Sequence, residues 1–160
     1  MKKFYILTIV LVLLITITGC GKTKTKEPEK TEFTLGEKIN IKNFEIEFLN
    51  YSLRKAISEK EKHQDLVFLE VNVTNTSSKA QRFSNSNFKA FGPDNLQLDI
   101  ISSNKYTSAL SNLGNIRSNG TTNGHIIFEF SGYGKYYLEF VNTSKKKITV
   151  IINIDQPNAE

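Results

Sequence analysis

The chain has 160 residues, a formal net charge of +5, no tryptophan and a single cysteine, Cys20. One cysteine excludes an intramolecular disulfide, and together with the missing tryptophan it excludes an antibody-type domain. The positive surplus is too small for the basic footprint of a nucleic-acid-binding protein.

The first twenty residues predict an export signal. Lys2 and Lys3 precede an uncharged apolar run at 4–18, which is the layout of a secretory signal. The run has about 15 residues, fewer than the ~20 that a spanning helix needs. A membrane helix that ends in Cys20 is the alternative. Ile17-Thr18-Gly19-Cys20 resembles the bacterial lipobox. This resemblance implies cleavage between Gly19 and Cys20 and a diacylglyceryl group on the Cys20 sulfur, and two acyl chains anchor a protein stably.

Removal of the signal peptide, residues 1–19, takes away Lys2 and Lys3 and lowers the net charge from +5 to +3. Residues 20–32 then contain the lipidated cysteine and the sequence GKTKTKEPEKTE, which has no large apolar residue and predicts a disordered tether. The tether lysines either approach anionic lipid headgroups or are simply solvated. A single domain at 33–155 and a tail at 156–160 complete the chain.

Apolar and polar residues alternate through most of the domain, which predicts strands with one buried and one solvated face. The predicted strands cover residues 39–41, 44–48, 67–74, 88–91, 96–100, 126–130, 136–140 and 148–155. Turn signals separate them, among them Gly92-Pro93-Asp94-Asn95 and Gly132-Tyr133-Gly134-Lys135. Without a long amphipathic helix, this pattern predicts an all-β fold, an antiparallel β-sandwich of about seven to nine strands.

Two segments depart from the alternation. RKAISEKEKHQD at 54–65 is a dense mixed-charge run, which we interpret as a solvated connection with room for a helical turn. In ISSNKYTSALSNLGNIRS at 101–118, Tyr106, Leu110 and Leu113 have the spacing of one helix face. This spacing predicts a short helix that caps the sandwich and buries the three side chains. The alternative is a recognition loop with Tyr106 as its exposed anchor, since connections longer than ~12 residues often carry binding.

Four stretches carry a family resemblance. They are Leu35-Gly36-Glu37, FLEVNVTNTSSKAQRF at 68–83, FKAFGPDNLQLD at 88–99 and GHIIFEF at 124–130. In this order they resemble bacterial lipoproteins that carry a telokin-like, immunoprotective extracellular immunoglobulin-like domain of unknown function. The resemblance implies an immunoglobulin-like sandwich on the surface of a Gram-positive cell, and it implies no catalytic residue.

No reactive constellation is recognisable in the sequence. The two histidines, His63 and His125, have no metal-ligand spacing, and a lipidated Cys20 leaves no thiol ligand, so we expect no metal and no cofactor. The carboxylates at 45, 47, 70, 99, 129 and 139 alternate with apolar residues, which places them on solvated sheet faces rather than in an acid and base pair. Lys145-Lys146-Lys147 is either a patch for an anionic polymer or a solvated hairpin tip.

These features favour an exported lipoprotein on the outer face of the bacterial cytoplasmic membrane. We expect a non-catalytic binding or interaction module rather than an enzyme, with the recognition loop as its contact and an envelope protein or wall polymer, not nucleic acid, as its partner. The alternative is a small-ligand receptor or an envelope enzyme with a pocket between the long loops. A third possibility is a structural accessory domain of an envelope complex.

Overall fold

The computed structural model describes residues 30–56, 65–83, 88–102, 106–110, 113–141 and 145–157. The predicted signal peptide, Cys20, most of the tether and His63 lie outside these ranges. Within them, no helix is long and apolar enough to cross a membrane.

Nine strands make up the regular structure of the described residues. They are β1 (Glu32–Thr34), β2 (Lys38–Ile41), β3 (Phe44–Lys55), β4 (Asp65–Asn75), β5 (Lys89–Phe91), β6 (Gln97–Leu98), β7 (Thr121–Glu129), β8 (Gly134–Val141) and β9 (Lys147–Ile154). A five-stranded sheet has the order β1-β9-β8-β5-β6, and a four-stranded sheet has the order β2-β3-β4-β7. The predicted all-β sandwich is therefore confirmed. One feature was not predicted: β1 begins at Glu32, inside the predicted tether, and pairs with β9 in parallel.

The main core lies between the two sheets and is built by the alternation that the sequence displays. On β4, Val67, Leu69, Val71 and Val73 are fully buried between the sheets. Their counterparts on the five-stranded sheet include Tyr136, Leu138, Phe140, Ile148, Val150, Ile152 and Ile154. Since every second residue of a strand points to the same face, one register places the whole apolar set inside.

Several strand boundaries differ from the predictions. β3 and β4 extend into the charged run at 54–65, where Lys55 pairs with Asp65 in register and through a 2.6 Å ion pair. The bounds 54–65 predicted for the solvated connection are therefore wrong at both ends, because cross-strand pairing also accommodates charged residues. β7 begins at Thr121 rather than after Gly124. Leu96 is 65% exposed, because it closes the turn that starts at Gly92 instead of joining the strand.

Candidate functional site

Described residues of the segment at 101–118, among them Ile101 and Ser108, lie along the edge of β7 that no other strand of its sheet covers. The His125 N–H donates to the Ser108 carbonyl at 2.8 Å, and the Ile101 N–H donates to the Ile127 carbonyl at 2.8 Å. An edge strand has unpaired backbone groups, and these bonds satisfy part of that row. None of the described residues of the segment is α-helical, although Leu110 is in 3₁₀ conformation. The Ala109 N–H donates to the Tyr106 carbonyl at 2.9 Å and the Leu113 N–H to the Leu110 carbonyl at 3.2 Å. The predicted helix is therefore wrong over 106–109, since pairing with the sheet edge takes backbone groups that a helix would use.

The predicted burial of this segment is nevertheless confirmed. Tyr106 is 3% exposed and Leu110 is fully buried, while Leu113 is partly buried against the main core. The interpretation of Tyr106 as an exposed anchor is wrong, because its ring packs edge-on against Phe68 at 5.5 Å between centroids. The residues chosen for recognition therefore hold the segment on the sheet.

A second hydrophobic core, which we call the outer core, lies between this segment and the outer face of the four-stranded sheet. It consists of Leu66, Phe68, Tyr106, Ala109 and Ile127. The guanidinium carbon of Arg54 lies 4.6 Å from the centre of the Phe68 ring and covers part of its face. The sequence contains a signal for this core that the alternation argument overlooked. Both 66–69 and 126–128 are continuous apolar runs, which are typical of strands buried on both faces.

Gly124 allows the segment to come close to β7. A Cβ atom at this position would lie 2.8 Å from Leu110 Cδ2, 2.9 Å from Leu113 Cδ1 and 3.2 Å from the Ser108 carbonyl oxygen. The glycine therefore belongs inside the strand, as a position of close approach rather than as a strand end.

Next to the outer core, a polar row follows the outer face of β4 and β7. Glu70 and His125 are cross-strand partners, and Asn123 Nδ2 donates to Glu70 Oε1 at 2.9 Å and to Asn72 Oδ1 at 3.1 Å. The His125 ring lies 5.7 Å from the Phe68 ring, and its Nδ1 is buried without a hydrogen-bond partner in the described structure. Burial and then the charge of Arg54 lower the pKa of His125, while the Glu70 carboxylate opposes them.

This lowered pKa predicts a pH-dependent stability. The unfolded chain protonates His125 near its ordinary value of 6.5, whereas the folded protein resists protonation until a lower pH. The free energy of unfolding should therefore fall as the pH drops through about 6.5 toward the folded-state pKa, because the unfolded state then binds more protons. Urea unfolding between about pH 7.5 and 5 should show this slope in the wild type and in His63→Gln, and a reduced slope in His125→Gln. If the slope disappeared in His63→Gln and remained in His125→Gln, the pH dependence would come from His63, and the prediction for His125 would be wrong.

A surface recess of 260 Å³ opens where β7 begins, beside the end of the same segment. Its lining consists of Leu113, Gly114, Asn115, Ile116, Arg117, Gly120, Thr121 and Thr122. These residues offer hydroxyl, amide, guanidinium and backbone groups for hydrogen bonds. None of them is a carboxylate, a histidine, a cysteine or a serine, so the lining supplies no usual general acid or base, and the hydroxyls of Thr121 and Thr122 have no such base beside them in it.

The titratable groups of the described residues are dispersed over the sheet surfaces. Glu45 pairs with Lys38 at 2.8 Å and Glu139 pairs with Lys147 at 2.7 Å, both on solvated faces. No group of three or more histidine, cysteine, aspartate or glutamate side chains in the described ranges could hold a metal ion. The His125 row and the recess are thus two separate features on one edge of the sandwich.

Solved structures with a similar fold are described as lipoproteins or as β-sandwich proteins. A candidate lipoprotein, ycdA, from Bacillus subtilis has a TM-score of 0.54 and 15% identity over 74% of this chain, which spans 39% of that protein. An uncharacterised β-sandwich protein from Clostridium difficile has a TM-score of 0.57 and 16% identity, covering 82% of this chain and 100% of the other. A candidate lipoprotein from Staphylococcus aureus has a TM-score of 0.56 and 19% identity, covering 75% and 88%.

At these identities the similarity establishes the fold alone. No curated protein matches the chain. A protein-family profile, described as "Domain of unknown function (DUF4352)", matches residues 33–150, which is well over half of the sequence. The chain therefore belongs to the DUF4352 family.

Proposed function

We propose that this protein is a surface lipoprotein of the bacterial envelope whose sandwich is a non-catalytic binding module. The observation that carries the binding role is the recess beside Thr121, which has hydrogen-bonding groups and one guanidinium but no carboxylate, histidine or cysteine in its lining. The volume of the recess, 260 Å³, lies just below the ~300–1,000 Å³ of typical small-molecule pockets. The recess therefore suits one protruding group of a larger partner, such as an envelope protein or a wall polymer.

The lipid anchor is supported by the lipobox-like Ile17-Thr18-Gly19-Cys20 and by lipoprotein descriptions among proteins of the same fold. A diacylglyceryl group on Cys20 would hold the domain on the outer face of the cytoplasmic membrane. As part of the same proposal, the domain is related to telokin-like immunoglobulin-like domains, and the protein comes from a Gram-positive cell.

Intact mass of the membrane-extracted protein tests the anchor. We expect the wild type to have the mass of residues 20–160 plus a diacylglyceryl group, and Cys20→Ser to lack that increment and to leave the membrane. An unprocessed wild type without the lipid would show that the lipobox interpretation is wrong.

Retention of envelope components tests the binding role. We expect immobilised wild-type protein to retain a component of a solubilised envelope fraction that a variant with Arg117→Gln and Thr122→Val loses. Arg82→Gln removes the same charge outside the recess and should retain the component. Equal retention by all three proteins would count against the recess as the contact.

The alternative of a small-ligand receptor or enzyme is favoured by one observation, the partly buried His125 beside Glu70. Alanine substitutions at His63, at His125 and at Glu70 separate the two classes. An envelope phenotype that is lost through one of these residues alone would favour chemistry over surface contact.

A further inference from the structure

One end of the sandwich has an entirely cationic set of charged side chains in its turns. The described segments there are 42–43, 75–82, 116–120 and 145–147, and none of them contains a carboxylate. All of their charged residues are exposed, namely Lys42, Lys79, Arg82, Arg117, Lys145, Lys146 and Lys147. Of these, Lys147 pairs with Glu139 of β8 at 2.7 Å. We call these seven side chains the basic end.

Contacts within the four-stranded sheet bring the first three segments together. The Thr76 N–H donates to the Asn43 carbonyl at 2.8 Å, which joins the turn of Lys42 to the loop of Lys79. Gln81 and Ile116 exchange two backbone hydrogen bonds, of 2.9 and 2.8 Å, which join that loop to the turn of Arg117. These cations therefore belong to one continuous surface.

A row of phenylalanines connects this surface to the other sheet. Phe44 packs on Phe83 at 5.2 Å, Phe83 on Phe88 at 6.0 Å and Phe88 on Phe140 at 5.1 Å between ring centroids. Phe140 lies next to the end of β8, from which the chain returns as β9 through Lys145 to Lys147. Lys145, Lys146 and Lys147, which we call the lysine tip, thus lie at the same end of the sandwich as the other cations.

At the opposite end of the sandwich, carboxylates outnumber the cationic side chains. The described segments of this end, 54–56, 65, 92–99, 129–135 and 154–157, contain Asp65, Asp94, Asp99, Glu129 and Asp155 together with Arg54, Lys55 and Lys135. Among the described residues, charge is therefore separated between the two ends of the sandwich, with the positive pole at the basic end.

The chain that leads to Cys20 leaves the domain at the positive pole. Because β1 and β9 are parallel, Glu32 lies beside Thr149, and the Thr149 N–H donates to the Thr31 carbonyl at 2.8 Å. Thr149 is two residues from Lys147, so the N-terminal connection starts beside the lysine tip. Ten Cα–Cα steps lead from Cys20 to Lys30 and span at most ~35 Å.

We propose that the basic end docks on the anionic surface of the membrane, so that the recess beside Thr121 lies close to the bilayer and the opposite end of the sandwich points away from it. The inference rests on the proposed lipid anchor, which brings this end nearest to the bilayer. Anionic lipid headgroups attract lysine and arginine side chains within about a Debye length, ~8 Å at physiological ionic strength. The bilayer is favoured over a wall polymer because the charge and the point of attachment coincide.

Two single-cysteine reporters test the orientation. The lipidated protein has no other free thiol if Cys20 carries the anchor, so Ser78→Cys at the basic end and Ser131→Cys at the opposite end each accept one fluorophore. Both serines are exposed. The proteins are reconstituted in phosphatidylcholine vesicles, with or without phosphatidylglycerol, that contain a quencher on the lipid headgroups.

On anionic vesicles at low salt, we expect strong quenching of the Ser78 reporter and weak quenching of the Ser131 reporter, and the difference should disappear at high salt. Each lysine near the surface favours docking by about fivefold, so Lys79→Gln with Lys145→Asn should lower the docked-to-undocked ratio about 30-fold. Lys55→Gln with Lys135→Gln removes the same charge at the opposite end and should leave the difference unchanged.

Three results would overturn the proposal. Equal quenching of both reporters would show that the domain has no preferred orientation. Equal quenching of the Ser78 reporter on neutral and anionic vesicles would show that the tether alone keeps this end close to the bilayer, without electrostatic docking. Binding of soluble polyphosphate without preference for anionic vesicles would assign the basic end to a polyanion instead. Failure of the anchor itself appears separately, as protein that does not associate with any vesicle.

Discussion

Phe68→Ala should lower the free energy of unfolding by about 3–5 kcal/mol, the usual cost of truncating a buried phenylalanine. Phe68 is 4% exposed and packs against Tyr106, His125 and Arg54 on the outer face of the four-stranded sheet. The alanine would leave a cavity beneath the segment at 101–118, because the rigid sheet on the other side cannot close it. Equilibrium unfolding in urea measures the loss.

Leu96→Ala is the control for Phe68→Ala. Leu96 is 65% exposed, so its truncation should change the free energy of unfolding by no more than about 0.5 kcal/mol. A loss at Phe68 as small as that at Leu96 would mean that the outer core is not formed in solution. The alternation of polar and apolar residues on β4, taken alone, predicts that smaller loss.

Asn75→Ala should cost about 2–4 kcal/mol, because Asn75 is fully buried and its side chain is hydrogen-bonded on both ends. Its Nδ2 donates to the carbonyls of Lys79 at 2.7 Å, Ile116 at 2.9 Å and, more weakly, Arg117 at 3.3 Å. Its Oδ1 accepts from the Ser77 backbone N–H at 3.0 Å. Removal of the amide leaves the Ser77 N–H without this acceptor. Each of the three carbonyls loses one of two donors, since Ser77 Oγ, the Gln81 N–H and the Gly120 N–H also donate to them, and the loops that build the basic end are held together less tightly.

Asn75→Asp should be still more destabilising near neutral pH. The carboxylate keeps the acceptor toward Ser77 but places a negative oxygen against the carbonyls that Nδ2 now contacts. Acidification should recover part of the loss, since a protonated aspartate donates one hydrogen bond. Asn153→Ala, at an exposed position on β9, is the control and should be nearly neutral. Equal stability of Asn75→Ala and Asn153→Ala would contradict the interpretation of Asn75 as the joint of these loops.

The sequence was sufficient for the features that depend on local periodicity. Val67, Leu69, Val71 and Val73 alternate with other residues and are the buried row that this pattern predicts. The turns at Gly92 and at Gly132 also lie where predicted, and Gly132 has a φ of 122°, a value that favours glycine. Strand alternation and tight turns depend on residues that are close together in the sequence, so they can be predicted without knowing which strands pair.

The candidate site was only partly readable from the sequence. Tyr106, Leu110 and Leu113 were selected for their helical spacing, but they do not share one face: Tyr106 lies in the outer core, whereas Leu110 and Leu113 pack on the main core. Their burial follows from their apolar character and not from the spacing. The true conformation of the segment depends on hydrogen bonds to β7, and its close approach depends on Gly124. Neither interaction is local in sequence, so the helical spacing was a misleading guide to the backbone.

The sequence by itself thus determined the all-β class, the inward face of the strands and an N-terminal region with the layout of a lipoprotein signal. Only the tertiary structure decided which strands are covered on both faces, which loops meet at the recess and how the surface charges are distributed. The physical reason is that strand pairing joins residues far apart in the chain. Gln81 meets Ile116, Glu70 meets His125 and the N-terminal connection meets the lysine tip only after the two sheets have packed.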